Sequence, residues 1–250
     1  MSTKNNLKKA GIYIHIPFCS VKCMYCDFYS IPQRENDIPQ FVEMVCTEID
    51  LYADKYETDL LIDTIFLGGG TPSLLNKASI IKILQKLEEH FNLSKLKEFT
   101  IESNPGEAPK NRLKDFFDIG INRLSIGFQS FDDNILQFLG RAHSSSDCLN
   151  TFNNAREVGF KNINVDLIFD IPNQSIELWE KDLEKTVKLN PEHICTYSLT
   201  VEKNTTLHKL VESGNIIMPN EETDISMYKH SMDYLQNNGF EQYEISNFCK

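Results

Sequence analysis

Apolar, β-branched runs recur along the chain at the spacing of alternating strands and helices. The runs predict six strands, at residues 12–16, 62–67, 98–101, 122–126, 162–169 and 193–199. Between them, apolar side chains return every three to four residues, as in Ile38, Val42, Val45 and Ile49, which is typical of helices packed on one face. Repeated strand-helix alternation predicts an α/β fold with a parallel sheet and right-handed crossovers.

The chemically unusual residues follow the predicted strands or end them. In chain order they are Cys19, Cys23 and Cys26 after the first strand, the residues 68–72 (GGGTP) after the second, Glu102 at the end of the third, Gln129 after the fourth, Asp166 in the fifth, and Tyr197 with Ser198 at the end of the sixth. The carboxyl ends of parallel strands are where barrels and open α/β sheets build their sites. We therefore expect these residues to meet at one edge of the sheet.

Three cysteines in a C-x3-C-x2-C spacing suit an iron–sulfur cluster in which the fourth iron has no protein ligand. An open iron can bind a substrate or cofactor, as open zinc sites do. A zinc site with His15 as fourth ligand and a set of unligated thiols remain open, although strand alternation places His15 before the loop. A disulfide is disfavoured, because the polar, basic N-terminus contains no signal peptide and predicts a cytoplasmic protein.

The glycine turn and two acids add to this picture. Three consecutive glycines allow close backbone approach to a ligand. The same three glycines would also be found in an ordinary flexible turn with no ligand. The turn matches neither a P-loop nor a dinucleotide-binding fingerprint. Glu102 suits an ammonium group, and Asp166 needs a partner if buried, such as a ligand hydroxyl or Arg141.

Composition and charge limit the class of protein and the kinds of partner it can bind. The 250 residues are 41% hydrophobic and 24% charged, as in ordinary globular proteins, and the length allows one large α/β domain or two small ones. No apolar run is long enough for a membrane span. The net charge of −11 disfavours nucleic acid as the main partner.

Six motifs, taken together, match a known family. They are residues 13–19 (YIHIPFC) with the cysteine loop, 68–72 (GGGTP), 102–105 (ESNP), 122–131 (NRLSIGFQSF), 139–143 (LGRAH) and 164–168 (NVDLI). This set, within about residues 11 to 248, resembles the radical SAM proteins of the oxygen-independent coproporphyrinogen III oxidase group. The resemblance implies a partial (β/α)6 barrel and a [4Fe-4S] cluster that holds S-adenosylmethionine at its open iron. One electron from the reduced cluster then releases a 5′-deoxyadenosyl radical.

The same resemblance implies roles for individual residues. It assigns the cluster to Cys19, Cys23 and Cys26, contacts with the cluster-bound S-adenosylmethionine to Tyr13, Gly69, Gly70, Thr71 and Glu102, and contacts with a second S-adenosylmethionine to Gln129, Arg141 and Asp166. One departure is Asp170, which stands where the family usually has a glycine. Aspartate tolerates left-handed backbone conformations better than most residues, so the turn can survive.

Two branches of the group are distinguished by residue 28 and by both ends of the chain. Phe28 stands where the oxidases carry a fourth cysteine, and only eighteen residues precede Cys19. Both features resemble the haem-chaperone branch, whose His-Asn-x-x-Tyr-Trp haem motif follows a segment like residues 243–248 (YEISNF). Here the chain stops at Lys250, and its only tryptophan is Trp179. We expect a barrel over residues 1–200 and, over 201–250, the beginning of a C-terminal accessory domain that is cut short.

Three functions follow as hypotheses. The first is haem binding and transfer, with a reductant protein and haem-acceptor proteins as partners. The second is oxidation of coproporphyrinogen III to protoporphyrinogen IX. The third is a structural iron–sulfur or zinc protein. Phe28 and the short N-terminus favour the first over the second, and the glycine turn with Glu102 disfavours the third.

Overall fold

The computed structural model describes residues 8–55 and 60–250. The strands are β1 (Lys8–Ile16), β2 (Phe18–Cys19), β3 (Ile31–Pro32), β4 (Leu60–Gly69), β5 (Glu98–Ser103), β6 (Arg123–Gln129), β7 (Asn162–Phe169), β8 (His193–Ser198), β9 (Glu241–Glu244) and β10 (Asn247–Cys249). The helices are α1 (Ile38–Lys55), α2 (Lys77–His90), α3 (Lys110–Asp118), α4 (Asp133–Phe138), α5 (Ser145–Val158), α6 (Ile176–Leu189), α7 (Thr206–Glu212) and α8 (Glu221–Asn237). Short 3₁₀ turns cover Glu35–Asp37 and Pro72–Leu74.

One sheet organises the molecule, in the strand order β1-β4-β5-β6-β7-β8-β10-β9. The first six of these strands are parallel, and helices connect them. They are the six strands expected from the apolar runs, so the expected α/β architecture of a partial (β/α)6 barrel is confirmed. The last two strands, β10 and β9, run antiparallel to their neighbours.

Side-chain alternation along the strands divides the core from the interior cavity. In β7, Ile163, Val165 and Leu167 are fully buried among the apolar side chains of the core. Asn164 and Asp166, between them, line the interior cavity instead. Strands that alternate apolar and polar residues in this way expose their polar groups to the cavity while helices cover the other face.

The structure differs from expectation in four places. Strand β4 runs to Gly69, so two glycines of the turn are still in the strand. The parallel pair β2–β3 inside the cysteine loop and the short helix α7 were not expected. Strands β9 and β10 continue the barrel sheet from the segment after residue 200. The boundary at residue 200 stays a prediction.

Helix α8 packs against the barrel through the single tryptophan. The Trp179 ring on α6 is fully buried, and its Nε1–H lies 2.9 Å from Ser231 Oγ and 3.2 Å from the Met227 carbonyl, both on α8. A buried indole whose N–H is satisfied supplies both apolar area and a specific contact. The segment after residue 200 is thereby anchored to the barrel.

Two expectations from the sequence concern a signal peptide and membrane-spanning helices. The expectation that the N-terminus holds no signal peptide depends mainly on residues 1–7, which lie outside the described residues. Among the helices of the described residues, none has the length and apolarity that crossing a membrane requires.

Candidate metal centre and ligand cavity

The cysteine loop is fixed to the carboxyl edge of the barrel by backbone hydrogen bonds. The N–H of Gly70 donates to the Ile16 carbonyl at 2.8 Å, and the N–H of Thr71 donates to the Phe18 carbonyl at 2.7 Å. Inside the loop, the N–H of Cys26 donates to the Cys23 carbonyl at 3.2 Å. The three thiols are therefore presented by a folded loop.

Each of the three thiols has a hydrogen-bond donor. The Thr71 hydroxyl lies 3.7 Å from Cys19 Sγ, and Arg141 Nη1 lies 3.2 Å from Cys23 Sγ. The backbone N–H of Phe28, the residue in place of a fourth cysteine, donates to the Cys26 sulfur. Burial raises the pKa of the Cys19 and Cys26 thiols, and these donors oppose the increase. Binding of a metal would release the thiol protons.

The donor set of the loop suits an iron–sulfur cluster. Cys19, Cys23 and Cys26 line one cavity. A structural zinc site is usually closed by four protein ligands. Three thiolates suit a cluster whose fourth iron stays open.

His15 is engaged elsewhere. Its Nε2–H donates to the Tyr29 carbonyl at 2.8 Å, and its Nδ1 accepts from the Tyr13 hydroxyl at 3.1 Å. Both ring nitrogens are occupied, and His15 lies in β1 as strand alternation predicted. A zinc site with His15 as fourth ligand would have to break these bonds.

The glycine turn is required by its protein neighbours. Gly69 has φ of +116°, and a Cβ on Gly70 would lie 2.6 Å from the Phe18 carbonyl oxygen. A side chain at either position would distort the contact between the turn and the start of the cysteine loop. At Gly70 the close approach is made to the backbone of Pro17 and Phe18. The approach to a ligand that the sequence suggested stays a prediction.

Glu102 joins the glycine turn to the barrel interior. Its Oε2 accepts a hydrogen bond of 2.9 Å from the N–H of Gly69. Burial first, and then the nearby Asp166 carboxylate, raise the pKa of Glu102 to about 7. The Gly69 N–H and Arg123 lower it by less. An incoming ammonium group would therefore favour the ionised carboxylate at this position.

Arg141, one of the two partners that the sequence suggested for Asp166, does not bond it. Asn164 Nδ2 donates to Asp166 at 2.7 Å, and the Ser125 hydroxyl lies 3.4 Å away. Arg141, suggested as its partner, instead donates to the Asn104 side chain at 2.8 Å, to the Gly127 carbonyl at 2.9 Å and to a cysteine sulfur. Burial raises the pKa of Asp166, so the charged form is costly there.

One cavity of about 150 Å³ brings the predicted residues together. Its lining includes every predicted site residue except Tyr13, namely Cys19, Cys23, Cys26, Gly69, Gly70, Thr71, Glu102, Gln129, Arg141 and Asp166. Tyr13 is 58% exposed, and its ring lies beside Phe66. The meeting of these residues at the carboxyl edge of the sheet is as expected from the sequence. Their roles toward ligands stay predictions.

Gln129 and Asp170 adopt left-handed backbone conformations. Gln129 has φ of +69° at a register shift between β6 and β7, and its side chain is buried. Strained backbone at a cavity wall is common at ligand sites. Asp170 has φ of +61°, so the turn that usually contains glycine is formed by aspartate here.

A second, larger cavity adjoins the first inside the barrel and was not foreseen. It has a volume of about 430 Å³ and shares Cys26, Glu102 and Asp166 with the smaller one. Arg123 and Cys195 also line it. The sequence did contain a sign of this cavity. Along strands β6 and β7, polar residues alternate with buried apolar ones, so every second side chain faces the barrel interior.

Asn104 was also missed as a site residue. Its Nδ2 donates to the Thr71 hydroxyl at 3.0 Å, and its Oδ1 accepts from Arg141. It thereby links the donors of two cysteine sulfurs, Cys19 and Cys23. Its position two residues after Glu102 puts it at the same end of the same strand.

Comparison with known proteins decides the family. A model of the radical SAM superfamily matches residues 13–186. The chain belongs to the radical SAM superfamily. Membership implies a [4Fe-4S] cluster and S-adenosylmethionine, which agrees with three thiols that line one cavity.

Two curated relatives and one solved structure are similar over nearly the whole chain. The Radical S-adenosyl methionine domain-containing protein 1, mitochondrial, of Danio rerio is 39% identical over 97% of this chain and 54% of its own length. The Heme chaperone HemW of Bacillus subtilis is 37% identical over 95% of this chain and 63% of its own. The coproporphyrinogen III oxidase HemN of Escherichia coli, a radical SAM enzyme, superposes with a TM-score of 0.86 at 25% identity, over 98% of this chain and 56% of its own. The chain thus spans between half and two thirds of the length of these relatives.

Proposed function

We propose that Cys19, Cys23 and Cys26 hold a [4Fe-4S] cluster whose fourth iron binds S-adenosylmethionine. The observation that carries this proposal is the arrangement of the thiols. Each has a hydrogen-bond donor, and all three share a cavity with Glu102 and the glycine turn. When bound, the cluster would supply the electron that cleaves the sulfonium group.

The residues around the cavity would hold the methionine end of S-adenosylmethionine. The Glu102 carboxylate offers its ammonium group a charge-assisted hydrogen bond. Gly69, Gly70 and Thr71 bring backbone groups to the same wall of the cavity. Gln129, Arg141 and Asp166 line the same cavity and offer an amide, a guanidinium and a carboxylate to a second ligand, such as another S-adenosylmethionine.

For the whole protein we propose haem binding and transfer. This proposal is supported by the relatives named as haem chaperones, by the adjoining interior cavity, and by Phe28 in place of a fourth cysteine. The Phe28 side chain is 65% exposed at the cavity. A one-electron reductant protein and haem-acceptor proteins would be its partners. We place it in the cytoplasm, although three relatives, from Danio rerio, Mus musculus and Bos taurus, carry a mitochondrial name.

Oxidation of coproporphyrinogen III is the second candidate. The observation in its favour is the close superposition on the Escherichia coli oxidase. The absence of a cysteine at Phe28 counts against it, because the motif of the oxidases includes that fourth cysteine.

Anaerobic reconstitution with iron and sulfide tests the cluster. The chain should bind about four irons and four sulfides, whereas Cys23→Ala should hold far less. Cys249→Ser, which changes a cysteine outside the cavity, is the matched control and should load fully. Tightly bound zinc without sulfide would overturn the proposal.

Two assays on the reconstituted protein separate the haem hypotheses. Titration of the whole protein with haem, followed by absorbance, should show binding, and the bound haem should pass to an apo-haem protein. Incubation with coproporphyrinogen III, S-adenosylmethionine and a reductant should leave the substrate unchanged. Formation of protoporphyrinogen IX would instead establish the oxidase.

A further inference from the structure

Arg141 is the charged side chain that contacts a cysteine of the loop most directly. Its Nη1–H points to Cys23 Sγ at 3.2 Å. Its Nη2 donates to Asn104 Oδ1 at 2.8 Å and to the Gly127 carbonyl at 2.9 Å. The guanidinium is thus held by three acceptors, one of which is a sulfur.

The backbone on both sides of Arg141 fixes this geometry. The N–H of Arg141 donates to the Leu136 carbonyl at 3.0 Å, and the N–H of Met24, next to Cys23, donates to the Leu139 carbonyl at 3.4 Å. Gly140 has φ of +73°, and a Cβ there would be in van der Waals contact with the backbone of Met24, at 3.5 Å from its nitrogen. The segment that carries Arg141 is therefore packed directly on the cysteine loop.

We propose that Arg141 raises the reduction potential of the cluster through this N–H···S bond and its fixed positive charge. The proposal rests on the cluster proposed above. Reduction adds one electron, taken from a one-electron reductant protein, to the cluster, and no bond forms or breaks. Hydrogen bonds to the sulfurs and nearby charge are established determinants of cluster potential. A cation beside a cysteine ligand stabilises the reduced, more negative state more than the oxidised state.

The other two thiols provide an internal comparison. Cys19 and Cys26 are bonded by a neutral hydroxyl and a neutral backbone N–H. Only the donor to Cys23 carries a full charge among these three contacts, and charge-assisted hydrogen bonds are roughly twice as strong as neutral ones. Arg141 is therefore the donor whose removal should change the potential most. Asn104, which accepts from the same guanidinium, acts as its positioning residue.

The test is the midpoint potential of the reconstituted cluster, measured by an anaerobic redox titration without S-adenosylmethionine. Arg141→Met removes the charge and the donors at similar length, and Arg141→Lys keeps the charge but loses the planar fork. Arg156→Met is the matched control. Arg156 donates to the carbonyls of Phe160 and Asn190 and to the Glu192 carboxylate, and none of these partners belongs to the cysteine loop.

We expect Arg141→Met to make reduction at least tenfold less favourable, a shift of about 59 mV to lower potential for a one-electron couple. The midpoint potential of Arg141→Lys should lie between those of the parent and Arg141→Met. The midpoint potential of Arg156→Met should equal that of the parent. Parent-like potentials in both Arg141 variants would overturn the proposal. If Arg141→Met does not load, Arg141→Lys decides by the same criterion. Failure of both folded variants to load, beside a loaded parent, would also overturn it, because Arg141 would then build the loop rather than tune it.

Failure of the parent protein itself to take up iron and sulfide is a different outcome. It would count against the cluster proposed under the function above. The midpoint potentials of the variants are therefore compared only with a parent protein that has taken up its iron–sulfur cluster.

Discussion

Replacing Glu102 by glutamine should change how the stability of the protein depends on pH. Burial, and then the Asp166 carboxylate, raise the pKa of Glu102 from 4.5 to about 7 in the folded protein. Between these two values the folded state binds more protons than the unfolded state. Stability should therefore fall as pH rises through this window, and the loss is complete above about pH 7.

The magnitude follows from the size of the shift. One pKa unit corresponds to about 1.36 kcal/mol, so ionising this half-buried carboxyl should cost about 2.5 kcal/mol of unfolding free energy between pH 5 and pH 8. Glutamine has nearly the same shape and does not titrate. The difference in stability between Glu102→Gln and the parent should shift in favour of the variant by that amount over the same interval.

The assay is urea unfolding of the metal-free proteins at pH 5 and pH 8, under reducing and anaerobic conditions. Glu48→Gln on helix α1 is the matched control, because Glu48 is exposed to solvent. That substitution should leave the pH dependence unchanged. A Glu102→Gln variant with the same pH dependence as the parent would refute the reasoning, since it would mean that Glu102 is well solvated in the folded state.

Three further substitutions test other parts of the site. Glu102→Ala should weaken S-adenosylmethionine binding to the reconstituted protein by about 1.5–3 kcal/mol, and equal affinity in anaerobic titration would place the ammonium group elsewhere. Gly70→Ala puts a Cβ 2.6 Å from the Phe18 carbonyl oxygen and should cost about 1–3 kcal/mol of stability in thermal unfolding. Unchanged stability would contradict this expectation, because it would show that the glycine turn can move to accommodate the added methyl group. Asp170→Gly should stabilise the protein at pH 8 by about 1–3 kcal/mol, because Asp170 has φ of +61°, a buried oxygen without a hydrogen-bond partner and a pKa raised by burial to about 6. The gain should shrink below pH 6, and a loss at pH 8 would contradict the argument.

The six parallel strands and the position of the site were predictable because both depend on local pattern. Apolar runs mark buried parallel strands, and the residues after each run lie at one edge of the sheet. This rule brought Cys19, Gly70 and Thr71 to one cavity, as the structure shows. Asp166 reaches the same cavity from within β7, by side-chain alternation along the strand. Strand β9 could not be predicted in this way. Its four residues are all exposed, so no apolar face distinguishes it, and its pairing with β10 is what makes it a strand.

One partner suggested inside the site was wrong because it depended on side-chain direction. The sequence offered a ligand hydroxyl or Arg141 as the partner of Asp166. In the structure Arg141 instead reaches Cys23, 118 positions away, and the Gly127 carbonyl, while Asn164 bonds Asp166. Hydrogen-bond choice between several nearby acceptors is set by the packed backbone, which no local pattern specifies.

An open iron in the cluster is best tested by the electron paramagnetic resonance spectrum of the reduced, reconstituted protein, recorded with and without S-adenosylmethionine. A ligand that binds an iron of the cluster changes its electronic environment. S-adenosylmethionine should therefore shift the spectrum of the parent and of Cys249→Ser, and Cys23→Ala should give little cluster signal. A cluster spectrum that stays the same at saturating S-adenosylmethionine would contradict an open iron at Cys19, Cys23 and Cys26.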